Sequence, residues 1–249
     1  MKYLISNTSF LPIIQITLTL GILLFALLVP QSGIGWLTSI LMYGMIGCFG
    51  ISIGYHRLLT HKAFKTSKFW EYFCTLWGML AFTGSSIGWV GVHRDHHRYS
   101  DGIKDPHSPW HHGAKMLIAN YGFEPNKWAV RGLITDKFHL FLHKYYFGLI
   151  SIWAFLFFYF GGLNALMYWV LIPGCISIWS STISNYMNHK WGYQNYTTRD
   201  RSRNNWLNAI FTFGEGWHNN HHARPGDWNF GHKWWEFDLA SWFVRLMKR

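Results

Sequence analysis

Fifteen histidines in a chain of 249 residues are enough to build a metal centre, and their spacing says more than their number. Three groups stand out: His56-Arg57-Leu58-Leu59-Thr60-His61, His93-Arg94-Asp95-His96-His97 and His218-Asn219-Asn220-His221-His222. Residues at i, i+3 and i+4 share one face of a helix, so each His-x-x-His-His box is expected to aim three imidazoles in one direction. His189 is a further candidate, with Asn185 one helical turn before it on the same face. Neutral imidazole is the commonest protein ligand of a transition metal. A lone His-x-x-His pair is more often a hydrogen-bonded interior pair, but that does not explain three boxes in one chain. Nine candidate ligands exceed one coordination sphere, so two ions are expected. The His-Glu-x-x-His motif of zinc proteases does not occur, nor does the paired Glu-x-x-His motif of carboxylate di-iron bundles. On donor chemistry alone, iron, copper and zinc stay open.

Such a constellation needs elements that bring its parts together. Half of the chain is hydrophobic, 20% is aromatic and only 13% is charged, where a soluble domain carries about 25% charged residues. The same figures exclude disorder, collagen and coiled coil, and 16 Trp, 13 Tyr and 20 Phe suit the aromatic belts of a membrane protein. From Tyr3 to Tyr55 there is no Asp, Glu, Lys or Arg, and Pro30-Gln31-Ser32-Gly33-Ile34-Gly35 breaks the run. A span needs about 20 apolar residues, so two are expected, at 11–29 and 35–55. A second uncharged run, Tyr145 to Asn188, breaks at Gly161-Gly162-Leu163-Asn164, which gives spans at 146–160 and 165–188. Tyr72 to Val92 is uncharged as well. Lys62, Lys65 and Lys68 before it and Arg94 and Arg98 after it argue against crossing, so it is expected as one buried or re-entrant helix.

With four spans, the N-terminus and the segments 56–144 and 189–249 share one side. That side carries all 22 Lys and Arg, and the positive-inside rule makes it cytoplasmic. Every histidine group then lies near the cytoplasmic end of a span, and the groups converge. The expected fold is all-α and integral to the membrane: four transmembrane helices with a cytoplasmic helical cap holding the histidines, in a single domain over 1–249. The first apolar segment is too long for the core of a signal peptide and is expected to stay as an anchor. The net charge of +11 is scattered between apolar runs, which favours anionic headgroups over nucleic acid as a partner. Cys48, Cys74 and Cys175 stand alone in apolar stretches and read as buried small hydrophobes.

The flanks of the boxes are distinctive. Gly54-Tyr55-His56-Arg57-Leu58, Trp89-Val90-Gly91-Val92-His93-Arg94, Asp105-Pro106-His107 and Gly214-Glu215-Gly216-Trp217-His218, in this order, resemble the membrane-bound fatty acid desaturases. The similarity is strongest to the Δ9 branch, which includes animal stearoyl-CoA desaturases and cyanobacterial acyl-lipid desaturases. This resemblance implies two irons held by His56, His61, His93, His96, His97, His189, His218, His221 and His222, with Asn185 holding a water on one of them. It also implies a reaction that uses O2 and two electrons to remove two hydrogens from an unactivated methylene pair, leaving a cis double bond, with O2 reduced to water. An alkyl C–H bond offers no acid or base handle, so a cofactor must supply the oxidant and an apolar tunnel must position the chain. Trp89 matches a tunnel-bend tryptophan of the animal enzymes. Glu215 and Asp105, with His107, are expected to orient ligand imidazoles.

Where the animal enzymes carry Arg and Asp near the CoA, this chain has Gly91 and Val92, and an expected glutamine is Thr83. The acyl carrier is therefore open between CoA, acyl carrier protein and lipid. No fused cytochrome b5 domain or iron–sulfur cysteine pattern occurs. Electrons are thus expected from an external donor such as a ferredoxin or cytochrome b5, drawn to the basic face. The expected location is a bacterial cell membrane rather than the endoplasmic reticulum. One rival reading is a related di-iron membrane hydroxylase or alkane monooxygenase. Another, a metal transporter or store, would need ionisable groups at mid-span, and none lie there. His111, His112, His139, His143 and His232 match no box and are expected at the surface or an interface.

Overall fold

The computed structural model describes residues 11–119 and 127–249, and its regular elements there are all helices. The expected N-terminal cytoplasmic stretch, and 120–126 within the expected segment 56–144, lie outside the described residues. Helix α1 (Leu11–Leu28) is uncharged and mostly apolar, with Gln15, Thr17 and Thr19 as its polar residues. Helix α2 (Gly33–Thr60) begins at Ser32, whose hydroxyl accepts the Gly35 N–H at 3.1 Å, as an N-cap residue does. From Met45 to Thr60 it is wound as a π-helix, a form rare in proteins and frequent at functional sites.

Helices α3 (Lys68–Met79) and α4 (Ser86–Tyr99) replace the single helix expected over Tyr72 to Val92. The chain reverses between them because Phe82 and Gly84 take positive φ, 54° and 95°, and Ser85 then caps α4. One-turn helices follow, then α5 (Lys137–Lys144). His139 and His143 on α5 are buried rather than superficial. Their Nδ1 atoms lie 2.9 Å from Ser86 Oγ and 2.6 Å from Ser85 Oγ, tying α5 to the start of α4.

Helix α6 (Tyr146–Lys190) is interrupted at Gly162, with φ 66° and ψ −163°. The rings of Phe157 and Trp169 stack at 5.8 Å. In a straight helix residues twelve apart are about 18 Å apart along the axis, so α6 folds back on itself into two arms. The uncharged run from Tyr145 thus turns within Gly161–Asn164, where its composition breaks. Short helices α7 (Trp206–Phe211) and α8 (His218–Ala223) and the terminal α9 (Leu239–Met247) complete the chain.

Two helices, Gly33–Thr60 and Tyr146–Lys190, are long and apolar enough to cross a membrane. The most apolar stretch of α6 buries none of its residues, and Leu24, Leu27, Phe155, Tyr159 and Phe160 are all exposed. An apolar surface this continuous is not tolerated in water and marks a contact with lipid or protein. The main core instead joins the lower part of α2 to α3, α4 and α9, through Ile53, Tyr55, Cys74, Ile87, Val90 and Val244. All three cysteines are buried and free, as expected.

The closest backbone approach in that core is between α2 and α3. A Cβ on Gly50 would meet the Gly78 nitrogen at 2.5 Å, and one on Gly78 would meet the Tyr55 ring at 2.5 Å. Backbone cannot yield as a side chain does, and overpacking a core costs about 1–3 kcal/mol. Gly50→Val is expected to lower the melting temperature of the detergent-solubilised protein by several degrees. Gly21→Ala, which meets nothing within 4 Å, is expected to leave it unchanged; equal effects in the two variants would contradict this packing.

Candidate metal centre

The nine histidines of the boxes and His189 meet in two adjacent groups. His56, His61, His93, His97 and His221 form one, and His96, His189, His218 and His222 the other. Within each group one ring nitrogen per residue lies within 4.8 Å of all the others. The π winding of α2 brings in the first pair. Residues five apart point to different sides of an α-helix, but with the π-type bond from His61 N to His56 O, 3.1 Å, the two rings meet edge to face at 5.0 Å.

The other two boxes do not aim all three rings one way, as the sequence suggested. His93 and His97 on α4 face the first group while His96 turns to the second. On α8, His218 and His222 face the second group while His221 turns to the first. Each of these two boxes therefore contributes an i, i+4 pair to one group and its remaining ring to the other.

Carboxylates hold the outer nitrogens. The Nδ1–H of His96 donates to Asp105 at 2.8 Å, that of His189 to Asp101 at 2.9 Å and that of His222 to Asp200 at 2.6 Å. His56 Nδ1 makes the same kind of contact with Glu215. A proton held on Nδ1 leaves the Nε2 lone pair pointing inward. The inward atoms crowd: His56 Nε2 is 2.9 Å from His221 Nε2, His221 Nε2 is 3.0 Å from His97 Nε2, and His189 Nε2 is 3.1 Å from His218 Nε2. The Nε2 atoms of His61, His96 and His222 are buried without any hydrogen-bond partner. Converging lone pairs and orphaned nitrogens are costly in a dry interior, and a cation in each group removes the cost. The donor set fits a metal ion in each.

The electrostatics agree. Burial, reinforced by neighbouring imidazoles, pushes His61, His93, His97, His218 and His221 well below the ordinary imidazole value. Burial takes His222 to about 4 despite Asp200 beside it. Burial opposes charge on His96 too, but Asp105 overrides it and raises that ring. Burial alone would raise Glu215, yet His56 and Arg57 hold its carboxyl down at about 2. Asp105 and Asp200 lie well below the carboxylate range because His96 and His222 outweigh their burial.

Arg57 is fully buried behind His56. Its guanidinium donates to Glu215 at 2.6 Å and Asp238 at 2.9 Å and lies over the Phe230 ring at 3.7 Å. Asp105 also accepts the backbone N–H groups of His107 and Asp101. Asn185 lines a cavity that reaches His56, His93 and His218, and among the described residues its side chain has no hydrogen-bond partner. Trp89 lines the same cavity, stacked on His93 at 4.7 Å.

Sequence reasoning passed over Asp101 and Asp200, whose signal was faint: one follows the second box and the other is a lone acid among arginines. It also missed Ser177, Ser180, Ser181 and Ser184, which with Asn185 and Asn188 line the cavity at helical spacing.

With this geometry in hand, comparison with known proteins is decisive. Residues 34–246 match the sequence profile of the family described as "Fatty acid desaturase". The chain belongs to the fatty acid desaturase family. This desaturase is 37% identical to the sn-1 stearoyl-lipid 9-desaturase of Anabaena variabilis, over 84% of its own length and 79% of that protein's. It is 36% identical to Delta-9 acyl-lipid desaturase 1 of Arabidopsis thaliana, over 82% and 69% of the two chains. It is 33% identical to the acyl-CoA C20 Delta5-desaturase of Anemone leveillei, over 83% and 69%. The protein is thus an acyl desaturase, and the hydroxylase and alkane monooxygenase reading is not favoured.

Two outcomes follow for the purified desaturase. Unfolded imidazoles titrate near about 6.5, and those held lower in the fold contribute stability that is complete above that pH and lost as it falls. The melting temperature of metal-free protein is expected to drop between pH 6.5 and the His222 value of about 4. Added Fe(II) should stabilise it at neutral pH and not at pH 4; a flat profile would count against neutral, inward-facing rings. Loss of a carboxylate behind a ligand histidine typically costs 10–100-fold in metal affinity. Glu215→Gln is expected to show that loss in a chelator competition titration.

Proposed function

We propose that the two histidine groups hold two iron ions and that this desaturase places a cis double bond, at Δ9, in a saturated fatty acyl chain at the expense of O2. The observation that carries the reading is the pair of adjacent histidine groups whose inner nitrogens converge on one another, those of His61, His96 and His222 without any hydrogen-bond partner. In this reading His56, His61, His93, His97 and His221 ligate one iron. His96, His189, His218 and His222 ligate the other, together with a water held by Asn185. Bound iron, with O2, supplies an oxidant able to break an unactivated C–H bond.

The protein's own residues supply position. Neutral imidazoles leave the charge on the metals undiminished, while Asp101, Asp105, Asp200 and Glu215 fix the rings from behind. The serine face of α6 is one wall of a bore that holds a methylene pair beside the metals, and Trp89 packs against His93 at its side. Fixing one carbon pair in this way sets regiochemistry by position rather than by chemical preference. The balance is R–CH2–CH2–R + O2 + 2e⁻ + 2H⁺ → R–CH=CH–R + 2H2O. Two of the four electrons that reduce O2 come from the acyl chain and two from an external donor such as a ferredoxin or cytochrome b5.

The proposed setting is a bacterial cell membrane crossed four times by one domain. The spans are α1, the upper part of α2 and the two arms of α6, with the histidines and both termini on the cytoplasmic side. The exposed apolar belts of these helices and the fold-back at Gly162 support this topology.

Cells expressing the protein are expected to accumulate a new cis-Δ9 monoene that is absent from a His97→Ala control. The purified wild type is expected to carry two irons per chain and the variant fewer. A hydroxylated fatty acid in place of the monoene would return the assignment to the hydroxylases.

A further inference from the structure

The cavity beside the histidines does not end at the protein interior. A groove of about 480 Å³ opens on the flank of the molecule, lined by Ile22, Trp36, Ile172, Ile176 and Ile183 with Phe211 at its rim. None of its lining residues is charged. Ile176, Ile183 and Phe211 are exposed there, in the same apolar surface that α1 and α6 present outward.

Groove and inner cavity share three residues, Tyr43, Ser180 and Thr212. Tyr43 stands between the two spaces. Its hydroxyl donates to the Phe211 carbonyl at 2.7 Å and pairs with Ser180 Oγ at 2.8 Å. One turn along α2, Gly47 has no side chain, and a Cβ there would meet the Phe213 ring at 2.7 Å and the Tyr43 ring at 3.3 Å. Beyond Tyr43, the small side chains of Ser177, Ser181 and Ser184 keep the way to His218 and Asn185 narrow but unblocked.

We propose that this groove is a lateral port through which the acyl chain of a membrane glycerolipid enters from the bilayer, with Tyr43 as the gate between port and metal centre. The proposal deepens the desaturase reading and rests on it, because it names the carrier of the acyl chain. A chain already in the lipid layer slides from one apolar surroundings to another, and its headgroup stays at the membrane surface. A CoA thioester arrives from water and needs cations for its phosphates, which this lining does not offer. The gate is held by two hydrogen bonds to a serine and a backbone carbonyl, so rotation of one side chain joins the two spaces.

The test uses the full-length protein in nanodiscs that contain phosphatidylcholine with a diazirine in the middle of its sn-1 acyl chain. Irradiation and peptide mass spectrometry locate the label. Because labelling requires no turnover, it is read on metal-free protein as well as on iron-loaded protein. Label is expected on peptides carrying Ile183, Tyr43 and, deeper, Trp89. Ile176→Trp with Ile183→Trp is expected to cut labelling of the Trp89 peptide at least fivefold with bound iron unchanged, and to reduce conversion of lipid-bound chains in parallel. Leu27→Trp, on an exposed part of α1 away from the groove, is expected to leave both unchanged. Tyr43→Phe, which removes both gate bonds and keeps the ring, is expected to speed labelling of the Trp89 peptide severalfold.

Label confined to the outer surface would overturn the port. So would inner labelling that ignores both the tryptophan pair and Tyr43→Phe, or an enzyme that converts stearoyl-CoA but not phosphatidylcholine-bound chains. If cells show no desaturated product yet the labelling pattern holds, it is the catalytic reading that fails and not the port.

Discussion

Nine imidazoles share two small, dry spaces only if their converging inner lone pairs find positive charge, and carboxylates hold four of the rings from outside. That constraint organises the rest of the molecule. Asp101 and Asp105 come from the turn after α4, Asp200 from the loop after α6 and Glu215 from the approach to α8, and each meets a ring on a different element or turn. Four carboxylates facing two divalent ions would balance in charge, and the remaining buried cation, Arg57, is balanced by Asp238. A buried ion pair is poor evidence of stability by itself. Here Arg57 also anchors Glu215, so the pair serves to keep His56 in one orientation.

The membrane part answers a different demand. It leaves large apolar surfaces outward and packs tightly at a few glycines, among them Gly35 against Tyr168, Gly174 against Phe82, and Gly50 against Gly78 where α2 meets α3. The α-helical upper half of α2 lies among the apolar helices, while its π-wound lower half reaches the histidines. One continuous helix thus joins the apolar outer surface to the histidine groups.

How much of this was legible in the sequence depends on how local each signal is. The histidines were legible because their spacing is a property of single helices. The division of the second and third boxes between two groups was not, although helix geometry contains it. Residues three and four along from a given ring point about 60° to one side and about 40° to the other, a fan wide enough to serve two metals. The break at Gly162 was legible from Gly161-Gly162-Leu163-Asn164. The break at Gly84-Ser85-Ser86 carried a similar signal, but the absence of charge on either side made one helix look natural. Asp101 and Asp200 were illegible because loop residues reach a site by tertiary placement, and His139 and His143 because serines at the start of a distant helix bury them. The π winding of α2 has no sequence rule to announce it.

The first metal group joins ends of the chain that are far apart in biosynthesis. His56 and His221 face each other although they are 165 positions apart, and Glu215, which orients His56, is almost as remote. A ribosome that has delivered the first two boxes has made only part of either group, so neither can close until the last quarter of the chain emerges. Contacts of such long sequence separation form late and slowly. Any metal the groups hold is therefore loaded only after that point, and until then a nascent chain carries its early histidines without their later partners. In the proposed reading, iron supply then governs how many finished molecules mature, and starvation for metal would be felt first as chains that are intact and not yet assembled.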